Sequence, residues 1–184
     1  MKTSNLFKGL LILFCCVTSF ALVSCDNDDD NNPVIPDVKE VLGEYSGKMM
    51  VNGKEDSVDV TVDSVVTIEK FPVKEIVASI VAEDDLEEVL GSLKNLSYSM
   101  NYKAKAGYTK ITLALAPEAL SFEIIVKEKK QKVEVTFASE AAGTYDPRDH
   151  TLTFLLKAES ASIDGEKAES FEATDFQLLP TKKK

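Results

Sequence analysis

From Val41 onward the chain alternates between apolar and polar positions. Val58, Val60, Val62, Val66 and Ile68 fall on one face of an extended segment, and Asp59, Thr61, Asp63, Thr67 and Glu69 fall on the other. That period of two marks a sheet with one wet face. Gly43 to Val51 is the strand before it, and Asn52-Gly53 between them favours a two-residue hairpin because both positions need positive φ. The clearest alternation sets Leu96, Tyr98, Met100 and Tyr102 against Ser97, Ser99, Asn101 and Lys103. Further strands are predicted over Ile111 to Leu115, stopped by Pro117, and over Leu120 to Val126 and Val133 to Phe137, on either side of a charged tip at Lys127 to Lys130. Leu152 to Leu156 and Phe171 to Leu179 complete the set, with turns at Tyr145 to His150 and at Asp164-Gly165.

Residues 73–93 break this rhythm. Ile76, Val77, Ile80 and Val81 recur at helical spacing, as do Leu86, Val89, Leu90 and Leu93. Asp85 and Glu88 resemble a capping pair opening a second helix, Gly91 lies near its end, and Pro72 suits a first helical turn. Two short helices, or one kinked at Glu83-Asp84-Asp85, are expected to cover an end or a face of the sheet. The fold class is mainly β: an antiparallel barrel or sandwich of about eight to ten strands with a helical insert near 73–93.

The N-terminus is of another kind. Lys2 and Lys8 precede an apolar stretch from Gly9 to Val17, and Ala21-Leu22-Val23-Ser24 ends it with small residues. This is the layout of a secretory signal, too short for a stable membrane span. Leu22-Val23-Ser24-Cys25 resembles a bacterial lipobox, which implies cleavage before Cys25 and acylation of its thiol. Two or three acyl chains would anchor stably where one binds only marginally. The expected organisation is a signal peptide over 1–24, a lipid anchor and acidic linker over 25–40, one β-rich domain over 41–180 and a basic, solvated tail over 181–184.

Behind Cys25 come Asp26, Asp28, Asp29 and Asp30. A block of like charge stays solvated and acts as a tether. In lipoproteins of the Bacteroidetes type such a cluster resembles the signal for export to the cell surface. Asp26, Asp28 and Asp30 also match the start of a calcium loop, but Asn31 stands where that loop needs glycine and Asp37 where it uses a bidentate glutamate.

Gly43-x-Tyr45-x-Gly47, the Asn-Gly hairpin behind it and Tyr145-Asp146-Pro147 with Leu152-Thr153-Phe154 resemble uncharacterised lipocalin-like (calycin-like) surface lipoproteins of Bacteroidetes. The resemblance covers most of residues 41–180. It implies a barrel and an outer-membrane address on the extracellular side, and it implies no activity.

Charge and composition narrow the function. Cleavage before Cys25 removes 24 of 184 residues, leaves 160, and takes the formal charge from −10 to −12 as Lys2 and Lys8 depart. So acidic a chain repels nucleic acid and anionic surfaces. Two of the three cysteines leave with the signal and the third is the lipid site, so no disulfide supports the domain. The sole histidine, His150, sits in a turn without the context of a nucleophile, and the usual zinc sets need more ligands. Glu83, Asp84, Asp85, Glu87 and Glu88 read as a wet helix face. No catalytic, metal or cofactor residue is assigned, and no cofactor is expected.

Binding is the better expectation. Tyr98, Met100 and Tyr102 share a face, either as core or as the lining of a barrel mouth with room for one small apolar ligand. A structural or protein-interaction module using sheet edges or the helices is the alternative, and a carboxylate-dependent hydrolase a weaker one. Asp56-Ser57-Val58 and Asp63-Ser64-Val65 resemble the acceptor pattern for protein O-glycosylation in these bacteria, making Ser57 and Ser64 candidates, although Ser64 falls on the Val62/Val66 face. A monomer attached to the membrane through Cys25 is expected.

Overall fold

A computed structural model describes residues 35–184. A 3-10 turn (Val38–Val41) leads into strands β1 (Gly43–Val51), β2 (Lys54–Val62) and β3 (Val66–Glu69). Helices α1 (Lys74–Ile80) and α2 (Glu83–Ser92) follow, and then β4 (Tyr98–Ala106), β5 (Ile111–Ala116), β6 (Leu120–Val126) and β7 (Lys129–Phe137). The chain ends with β8 (Ala141–Asp146), β9 (Thr151–Ile163), the two-residue β10 (Glu166–Lys167) and β11 (Thr174–Lys182). Strands β1, β2, β3, β4, β5, β8, β9 and β11 pair antiparallel in a ring, so the barrel is closed. The helical insert does not open it. Val66 pairs with Met100 and Ile68 with Tyr98, so α1 and α2 leave and rejoin the wall at one end.

Strand β9 is the longest, and one edge of it serves two partners. Thr151 to Leu155 pair with β8, and Ala158 to Ile163 pair with β7 after a register shift at Thr136/Phe137. The wall therefore runs past the rim as an extension of β6, β7 and the end of β9, and α2 packs on β6. Ile76 and Val77 of α1 and Val89 of α2 are wholly buried.

The buried positions of the strands are apolar, as alternation requires, except Thr174 and Thr181 on β11. Tyr45, Met49, Ile68, Met100, Ile111, Leu113, Tyr145, Leu152, Leu156 and Phe176 are among the largest fully buried side chains. An eight-stranded barrel is just wide enough for side chains of this size to fill it. At the helical end Phe71, Tyr98, Phe137 and Phe176, from four separate segments, form one aromatic cluster: Phe71 stacks on Phe176 with centroids 4.9 Å apart, and Tyr98 on Phe137 at 5.0 Å. At the opposite, lower end Tyr45 meets Tyr145 edge-on at 6.3 Å, and its hydroxyl donates to the Val41 carbonyl at 2.5 Å. That bond ties the 3-10 turn across the base of the barrel.

Three hairpin turns form where the sequence places them. Asn52-Gly53, Lys127-Glu128 and Asp164-Gly165 all take positive φ at both positions. Four expectations are corrected. The long return strand is two strands, β2 and β3, joined by Asp63 to Val65. Val62 lies directly opposite Val66, so the inward face continues through the turn and the alternation hides it. Helix α2 starts two residues before Asp85, which lies in its first turn and takes an ion pair from Lys127 at 2.9 Å; its N-cap is Ala82. The last strand begins at Thr174 and passes through Pro180, which sits in the register shift between Leu178 and Thr181 where the ladder is interrupted. The expected solvated tail is part of the wall. Lys182 pairs with Thr151, Lys183 bridges to Tyr45, and the Lys184 backbone N–H donates to the Glu44 carbonyl at 2.8 Å.

Candidate functional site

The three residues expected to line a ligand pocket have separate roles. Tyr98 is 3% exposed, stacked on Phe137, and its hydroxyl donates to the Glu118 carbonyl at 2.7 Å. Burial pushes that hydroxyl's pKa well up. Met100 is 2% exposed and faces Val66 across the strand pair. Tyr102 is half-buried nearer the lower rim, and its hydroxyl donates to the Asp63 carbonyl at 2.7 Å, pinning the β2–β3 turn to β4. All three stand on the inward face as their alternation predicts, and each is engaged by its neighbours.

Recesses lie on the outside of the barrel instead. One of about 440 Å³ runs between the end of α2 and β6 and is lined by Leu93, Leu96, Phe122 and Ile125 with Lys94, Glu123 and Lys130 at its rim. Ile125 is 38% exposed there. Among the described residues β6 pairs with β7 alone, so its second edge carries no strand beside this groove. Sequence reading missed the groove because it joins two segments whose apolar residues read separately as a helix stripe and a strand face.

At the lower end, His150 is exposed with φ +57, and its Nδ1 lies 2.9 Å from the Tyr145 hydroxyl. The turn that presents it is braced by Arg148, whose Nε and Nη reach Asp146 at 3.0 and 2.7 Å. These hydrogen bonds, with one from the Arg148 backbone N–H, hold the Asp146 carboxyl at about 2, against an ordinary 3.8. The folded-state value lies below the unfolded one, so this stabilisation is present above about pH 3.8 and is lost as pH falls through about 2. Arg148→Ala is expected to raise the Asp146 titration midpoint toward the ordinary value, followed by side-chain carbon-13 NMR. An unmoved midpoint would assign the depression to another group.

Ser57 is exposed on β2, and Ser64 is exposed in the β2–β3 turn; the turn takes Ser64 off the inward face on which alternation placed it. Cys25, Asp26, Asp28, Asp29 and Asp30 lie outside the described residues.

Fold and surface together define a closed, side-chain-filled antiparallel β-barrel with a helical cap at one end and grooves on its outer wall. The chain belongs to the family described as a domain of unknown function, DUF4840, whose model matches residues 40–163. The matched span runs from the 3-10 turn to the end of β9 and stops before β11, the strand that closes the ring. Searches of curated proteins and of solved structures each return no match.

Proposed function

We propose that this chain is a lipid-anchored, lipocalin-like outer-membrane protein of the Bacteroidetes type, facing the extracellular side. In this reading its domain is an accessory, non-enzymatic module that works through its outer surface. The observation that carries the choice of module over carrier is the filled lumen. Tyr45, Met49, Met100, Tyr145 and Phe176 each lie no more than 2% exposed along the barrel's length. A small apolar ligand would have to displace side chains already packed at interior density. The groove beside β6 offers apolar surface with lysines at its rim and a free strand edge, a combination suited to an extended protein segment. The address rests on the lipobox-like Leu22 to Cys25 and the aspartates behind it.

Native mass spectrometry of the protein extracted from its own cells tests the module reading. The expected mass is that of the chain with its acyl groups and nothing more. A retained small molecule would overturn the reading in favour of a carrier. Protease added to intact cells is expected to remove the domain, and full protection would leave the anchor but place the domain inside.

A further inference from the structure

At the lower end of the barrel, Glu40, Tyr145, His150, Lys183 and Lys184 line a notch of about 240 Å³. Lys183 is its unusual member. Every other lysine of the described residues is exposed, and Lys183 alone is half-buried. Its backbone N–H donates to the His150 carbonyl at 3.0 Å, and its methylenes cross the Cα of Gly43, where a Cβ would have no room. The side chain is thereby held in place. Its Nζ donates to the Glu40 backbone carbonyl at 3.0 Å, and among the described residues no carboxylate forms an ion pair with it. Eight other lysines do have such partners. A partly desolvated ammonium with donors left over, in a chain of formal charge −10, is a place where an anion recovers lost solvation.

The surrounding groups favour one kind of anion. Burial first, then the Glu40 and Asp149 carboxylates, push the Tyr145 hydroxyl up, so it keeps its proton and can donate to His150 Nδ1. In that tautomer the imidazole proton sits on Nε2, which has no hydrogen-bond partner among the described residues. Lys184 completes the set while sharing its ammonium with Asp59 at 3.2 Å and Glu44 at 3.9 Å. The Glu40 carboxylate also lines the notch, but it is engaged by the Asp37 backbone N–H at 3.0 Å. Donors from three side chains around a concave space suit a tetrahedral oxyanion better than a planar carboxylate.

The geometry points to a phosphate-binding notch, taking the phosphate of a soluble phosphoester or of a phospholipid head group. The chain enters the domain at this same end, because the 3-10 turn leads into β1 there. Only the twelve residues Asp26 to Asp37 separate that turn from Cys25, at most about 43 Å of extended chain. An acylated Cys25 would therefore keep the notch within reach of head groups. The lipid source rests on the anchor reading proposed above, and the notch itself does not.

The test uses the full chain in maltoside micelles, observed through the imidazole signals of its single histidine. Inorganic phosphate is titrated in one arm and dihexanoyl phosphatidylglycerol in the other, at constant ionic strength. A saturable shift with phosphate alone supports the notch and names a soluble source. A shift with lipid alone supports it and names the head group, and a shift in both means the phosphate group itself is recognised. Lys183→Met keeps the methylenes over Gly43 and removes the charge; it is expected to weaken binding by roughly tenfold or more, the loss of one charge-assisted hydrogen bond. Should that variant not fold, Glu40→Gln, which removes the carboxylate lining the notch, is expected to tighten binding. No saturable shift in either arm, a shift that chloride reproduces, or affinity unchanged in every folded variant overturns the proposal. Mass analysis of the Cys25 peptide reports separately on the anchor, so the two readings fail by different measurements.

Discussion

Phe176→Ala is expected to lower the unfolding free energy by about 3–5 kcal/mol, seen as a lower urea midpoint with little change in slope. Phe176 is wholly buried on β11 and stacks on Phe71. It also meets Phe137 at 6.2 Å, edge-on. Its ring is thus held by the loop after β3 and by the strand extension beyond the rim. Truncation removes the apolar contact and leaves a void that the closed ring cannot collapse, because β11 is paired on both edges. Leu155→Ala is the control: this residue is 46% exposed on the outer face of β9 and should change stability by no more than about 0.5 kcal/mol. The same variant tests the filled-lumen argument. A dry apolar cavity of this kind takes up xenon or benzene, so the alanine variant is expected to bind such a probe internally and the natural protein is not. Internal binding by the natural protein would show free lumen space and remove the main support for an outer-surface module.

Much of the barrel was legible because a closed antiparallel wall imposes the same rule on every strand. Val58 to Val62, Tyr98 to Tyr102 and Ile111 to Leu115 each carry their inward face in plain alternation. The helices were legible for the same kind of reason, their apolar residues returning at helical spacing. What escaped depends on distances in space that spacing along the chain does not carry. The β2–β3 turn was hidden because Val62 and Val66 pair directly and keep the parity of the pattern. Asp85 looked like a cap because its side chain suits one, but its acid is used by Lys127, forty-two positions further on. Alternation put Tyr98 and Met100 on the inner face without saying whether that face meets a cavity or a packed core. That depends on the summed volume of side chains from eight strands. The lysines at the C-terminus read as solvated charge for want of any local sign that Lys183 crosses to Gly43 and Glu40.

The same closing seam gives the second large expected effect. Gly47→Ala should destabilise the domain by about 1–3 kcal/mol, although replacing glycine in a strand ordinarily stabilises by about 0.4–1 kcal/mol through the unfolded chain. The sign reverses because of Thr181. A Cβ at Gly47 would fall on the Thr181 side chain, 2.5 Å from Cγ2 and 2.8 Å from Cβ. Thr181 is 1% exposed and its hydroxyl donates to the Leu179 carbonyl at 2.6 Å, so it has no free direction in which to turn. It lies just past the shift at Pro180, where β11 swings between β9 and β1, and moving it would part the seam between Leu178 and Lys183. Read this way, Gly43-x-Tyr45-x-Gly47 is a closure motif: Gly43 admits Lys183, Gly47 admits Thr181, and Tyr45 between them ties down the 3-10 turn. A double-mutant cycle with Thr181→Ala decides the matter. Gly47→Ala should cost less when residue 181 is alanine, which loses the hydroxyl and Cγ2 while keeping its own Cβ, with a coupling of at least about 1 kcal/mol. Additive effects would mean that the glycine serves the backbone of β1 alone, and the steric account of the seam would have to be given up.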